Sequence, residues 1–106
     1  MEITESDWKV FRRLRELALE RYCRRVLNDV SQLVEKDRSS SHERYLKLWE
    51  LLRERDKTIG NAFDDLRRSQ ALIQLLNIVN EDLLTENELT QFSEDLRDHL
   101  EALRRI

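Results

Sequence analysis

The chain contains no proline and a single glycine in 106 residues. Average usage would supply about 7% glycine and 5% proline. Residues that stop a helix are nearly absent, and a glycine-built phosphate loop is excluded. One cysteine, Cys23, excludes a disulfide within the chain. Its solitary state suits a reducing compartment. The most nearly apolar stretch, residues 71–79, is broken by Gln74 and Asn77 and is too short to cross a bilayer. Met1 to Trp8 is acidic and polar with no apolar run behind it, unlike a secretory signal. These absences predict a cytoplasmic protein without a membrane segment.

What is present is charge. Asp, Glu, Lys and Arg make up 39% of the chain, against the usual ~25%. The net charge is only −3, but its distribution is uneven. Residues 9–25 hold seven cations against Glu16 and Glu20. Residues 81–101 hold eight carboxylates against Arg97 alone. A basic first helix and an acidic last segment attract each other, within one chain or between two.

Apolar residues recur at three- and four-residue steps, the mark of amphipathic helix. The expected fold class is all-α, a small bundle of two long antiparallel helices plus shorter C-terminal helices, in one domain over residues 1–106. The first helix starts near Thr4 or Ser6, Thr4 and Asp7 having capping-box spacing, and runs to about Glu35–Asp37. Its stripe Val10, Leu14, Ala18, Tyr22, Val26, Val30 and Val34 steps by four. Four residues turn about 400°, so the stripe drifts about 40° per step. The start of this helix should meet one partner and its end another.

Arg38 to Ser41 is the clearest break, and Ser40 with Glu43 caps a second helix from about Ser41. Its heptad-like positions are Tyr45, Leu52, Ile59 and Leu66. The pattern predicts one continuous helix through Gly60, where a close helix approach or a slight bend is expected. Residues 69–84 are the most apolar and belong at the centre. The sequence leaves open whether they continue the second helix. Thr85 with Glu88 opens a short helix through Phe92, and Ser93 caps a last one carrying Leu96, Leu100 and Leu103. The stretch Leu72 to Leu100, around Leu84-Thr85-Glu86-Asn87-Glu88-Leu89, resembles the short C-terminal helical-hairpin domain of many bacterial proteins. That resemblance implies protein interaction. The glycine usual at its turn is missing here, with Asn80 the nearest substitute.

No constellation supports catalysis, a cofactor or a metal. His42 and His99 lack a Glu three residues before them, so the Glu-x-x-His pattern of di-metal bundles is absent. Cys23 sits on the edge of an apolar stripe, where a small hydrophobe is the ordinary role. The expected function is therefore non-enzymatic: a helical protein-interaction module, self-associating as a homodimer, with a scaffold, adaptor or regulatory role. A first helix of about 45 Å overhangs a compact globule of roughly 34 Å, and its apolar stripe continues into the overhang. Candidate interface residues are Trp8, Val26, Val30, Leu33, Trp49 and Phe63. The alternative is a small nucleic-acid-associated regulator using a basic patch of Arg12, Arg13, Arg24 and Arg25. These cations point to several sides of an ideal helix and alternate with acids, which disfavours phosphate binding.

Overall fold

A computed structural model of the chain describes residues 2–106. It is 79% helical, with no strand among the described residues. Two long helices, α1 (Glu5–Lys36) and α2 (Ser41–Phe63), are joined by a short turn and pack against each other, so they run antiparallel. A 3-10 turn at Arg68–Gln70 leads to α3 (Ala71–Asn80), then α4 (Glu86–Leu89) and α5 (Glu94–Arg104).

Each long helix begins where its cap residue predicts. The Thr4 hydroxyl accepts from the Asp7 N–H at 3.2 Å, and the Ser40 hydroxyl accepts from the Glu43 N–H at 3.2 Å. Thr85 and Glu88 form a full capping box at α4. Ser93 caps α5 by accepting from the Leu96 N–H. At Thr4 the box is not reciprocal, because the Asp7 carboxylate is engaged elsewhere.

The ends differ from expectation in three places. α2 stops at Phe63 rather than holding its phase to Leu66, which is exposed. Asp65 takes a left-handed backbone, φ 60, and turns the chain. The side-chain amide of Gln74 donates to the Asp64 carbonyl at that bend, holding an orphaned end of α2. The break thus falls at residues 64–67, and α3 is a separate helix. After α3 the chain reverses through Asp82, φ 56, not Asn80. The Asp82 N–H donates to the Val79 carbonyl and the Leu83 N–H to the Ile78 carbonyl. This is a Schellman motif with aspartate at the position glycine usually fills. The short helix after Thr85 also ends early, at Leu89 rather than Phe92.

Gly60 does not bring helices together. A Cβ there would meet only the carboxylate of Asp64, the residue that follows α2, at 3.3 Å.

The core is lopsided. Phe11, Leu14, Ala18 and Tyr22 of α1 pack with Leu75 and Ile78 of α3 and with Leu96 and Leu100 of α5. α2 contributes only Ala62 and Phe63 to the buried set. α1 buries nothing beyond Val26. The remaining lengths of α1 and α2 project as a two-helix arm. The radius of gyration is 16.5 Å and the long axis 52 Å, against about 13 Å expected of a compact chain of this length.

Chemical denaturation of three variants checks this layout. Leu75→Ala should cost about 2–5 kcal/mol, because Leu75 is 2% exposed. Leu76→Ala should cost less, since Leu76 is only half-buried against the core. Gly60→Ala should stabilise by about 0.5–1 kcal/mol, since the helix gains propensity and only the flexible Asp64 side chain must yield.

Candidate functional site

Two surfaces carry the residues singled out by sequence: the arginine-rich side of α1 and the projecting arm. On the first, the cations are occupied by the chain itself. Arg21 forms a two-pronged pair with Glu88, at 2.7 and 2.9 Å, and also donates to the Leu83 carbonyl at 2.8 Å. Arg25 donates to the Glu81 and Asp82 carbonyls and lies over the Tyr22 ring. Arg13 donates to Gln91. Arg12 lies over the Trp8 ring, 5.5 Å from its centroid, and Arg24 pairs with Glu20 on its own helix. The attraction between the basic first helix and the acidic last segment is thus met within one chain.

Asp7 anchors the other end of this contact. It is 2% exposed, and its carboxylate accepts from the Ser93 N–H at 2.8 Å and the Ser93 hydroxyl at 2.6 Å. A negative charge therefore sits at the N-terminus of α5, where the helix dipole favours it. Arg15 reaches across to the Phe63 carbonyl at the end of α2 and covers the Phe63 ring. Arg68 donates twice to the Ile3 carbonyl, at 2.8 and 3.0 Å, and pairs with Glu5. None of these tertiary roles has a local sequence signal, because the partners lie 48 to 86 positions away.

The arm is organised differently. Its base is bridged by Arg55 to Asp29 at 3.7 Å. At its tip Lys47 donates to Asp37 at 2.9 Å, and Arg44 donates to the Val34 carbonyl at 2.7 Å. The Ser39 hydroxyl, the Ser39 N–H and Lys47 together hold the Asp37 carboxyl well below the usual carboxylate range. One side of the arm bears a cleft lined by Asp29, Leu33, Lys47, Glu50, Leu51 and Glu54. The other bears an open groove of about 400 Å³ whose apolar lining is Val26, Trp49, Leu52 and Ile59, with Arg53 and Asp56 beside them.

The six candidate interface residues are therefore dispersed. Val26 and Phe63 are buried inside the chain. Trp8 stacks on Phe11 at 5.9 Å and is half-buried against the core. Val30 and Leu33 are half-buried along the arm. Trp49 alone is freely exposed, at 55%. Sequence reading missed Leu27, Val34, Tyr45 and Leu46 as exposed residues of the same arm. The drift of the α1 stripe was the signal for Val34: by the end of the helix it has rotated away from α2.

For small-molecule chemistry the described residues offer little. No group of three or more His, Cys, Asp or Glu side chains is placed to hold a metal. Cys23 is half-buried, and the His99 ring lies against the Asp95 carbonyl. No described helix is long and apolar enough to cross a membrane. No known protein family matches the chain, and neither a curated protein nor a solved structure shows significant similarity to it.

The Arg21 pair and the Thr85 cap give a pH-dependent outcome. Hydrogen bonding from Arg21, more than any other contact, lowers the Glu88 carboxyl from 4.5 to about 2. A carboxyl lowered in the folded state stabilises it above its unfolded pKa, and that stability is lost as pH falls through the folded pKa. Glu88→Gln should cost about 1–2 kcal/mol near neutrality, as expected for a charge-assisted pair with a half-exposed partner. In denaturation curves at stepped pH, this difference from wild type should shrink between about 4.5 and about 2.

Proposed function

We propose that the protein is a non-enzymatic helical interaction module that associates with itself and works by contact, as a scaffold, adaptor or regulator. The observation that carries this reading is the projecting arm. Leu27, Tyr45 and Trp49 are each more than half exposed there, and Leu52 is 44% exposed. Isolated exposed apolar residues are normal on a protein surface, but a contiguous band of them marks an association site. The body of the molecule supplies a rigid base, since α1 runs unbroken from the core into the arm. The single cysteine suits a cytoplasmic setting for such a module.

A nucleic-acid regulator draws less support. Of the proposed basic patch, Arg13 and Arg25 are spent on internal hydrogen bonds and Arg24 is paired with Glu20. Phosphate binding needs unpaired cations on one face.

Sedimentation velocity over a concentration series tests the proposal. A reversible dimer forming in the micromolar range is expected. A profile that stays monomeric to about 100 μM would remove self-association, because the dissociation constant would then lie well above that range.

A further inference from the structure

We propose that the groove side of the arm is the dimer face, and that a second copy of this chain covers it by packing arm against arm into a four-helix bundle. This inference rests on the self-association just proposed and names its surface.

The first support is the spacing. Tyr45, Trp49, Leu52, Asp56, Ile59 and Phe63 step along α2 by four, three, four, three and four. That alternation is a helix-packing seam, distinct from the side of α2 that meets α1. Its proximal end is covered within the chain: Phe63 is buried and Ile59 packs on the core. Its distal end, from Tyr45 to Leu52, is bare. On α1, Leu27, Val30 and Val34 repeat the same three-four step. Helical geometry puts them on the flank of Val26 that borders the groove, about 40–100° around from it. Two parallel seams lie side by side, each of the kind another helix covers.

The second support is direction. Leu27 and Val34 lie about 160–180° around α1 from Arg25, and Arg25 holds the turn between α3 and α4. The band therefore faces away from the C-terminal helices, and no described segment of the chain reaches it. The cleft on the opposite side of the arm carries Asp29, Lys47, Glu50 and Glu54 around Leu33 and Leu51, a charged rim that suits solvent.

The third support selects the occupant. The charges lining the groove beyond Arg55, which pairs with Asp29, are Arg53 and Asp56. Neither forms an ion pair among the described residues. A second copy related by a two-fold axis presents the same pair in reverse order, so each charge meets its opposite. A partner of one sign would satisfy one and strand the other. Area agrees: the exposed parts of Leu27, Val34, Tyr45, Trp49 and Leu52 come to roughly 500 Å² per copy. Two copies reach the roughly 1,000 Å² at which a specific interface becomes credible.

A charge substitution and two cysteine variants test this, all on the full chain. Trp49→Glu should leave the helical circular-dichroism spectrum unchanged and weaken dimerisation at least tenfold in sedimentation. In a Cys23→Ser background, Leu52→Cys should be joined into a covalent dimer by a short bis-maleimide, whereas Glu50→Cys, on the charged side, should not. If Trp49→Glu perturbs the fold, the two cysteine variants still decide the face. A wild-type dimer that survives Trp49→Glu, or that links through position 50 and not 52, overturns this face while self-association stands. A monomeric wild type overturns both.

Discussion

The four-residue step of the apolar stripe on α1 is the constraint from which the rest follows. Leu14, Ala18, Tyr22 and Val26 are buried in succession, Val30 is half-buried, and Val34 is exposed. A straight helix turns such a stripe by about 40° at each step. The early residues therefore meet α3 and α5, the middle ones approach α2, and the last ones emerge on a side that none of the described residues covers. One helix of 32 residues is thereby both the spine of the body and half of the arm.

The body is held to that spine by charge used at close range. Arg21, Arg25 and Asp7 fasten the start of α4, the turn after α3 and the start of α5 respectively. These contacts involve backbone groups that helix ends and turns leave unpaired. A carboxylate with both N–H and O–H donors at Ser93, or a guanidinium across two turn carbonyls, supplies those partners without adding apolar area. This explains how a chain with 39% charged residues builds a compact end at all. Its arginines and acids are structural where the two charged segments meet and solvent-facing elsewhere.

Much of this architecture was legible because its signals are local. Thr4, Ser40, Thr85 and Ser93 mark helix starts through chemistry within three residues, and all four do so in the structure. Helix ends were less legible because they depend on distant groups. The stop at Phe63 relies on the left-handed Asp65, on Gln74 and on Arg15. The turn at Asp82 uses a residue type that rarely adopts positive φ, whereas Asn80, a more usual stand-in for glycine, keeps its place in α3. The candidate surface was half visible. Trp49 and Val30 lie on the arm, but Val26 and Phe63 were indistinguishable by pattern from residues that stay exposed. Which end of a stripe is buried depends on where α3 and α5 dock, and periodicity does not carry that information.

The protein thus has two regions of unequal self-sufficiency. The body closes on its own core, whereas the arm buries little and carries an exposed apolar side. Local stability should follow buried contact, so amides of the arm should open more readily than those of the core unless a partner is bound. Amide hydrogen exchange at two protein concentrations measures this directly. The account predicts strong protection at Phe11, Tyr22, Leu75, Ile78 and Leu96 at both concentrations. It predicts weak protection across residues 27–34 and 45–52 in dilute solution, rising several-fold when the protein is concentrated above the micromolar range. Arm amides as protected as the core in dilute solution, with no response to concentration, would contradict it.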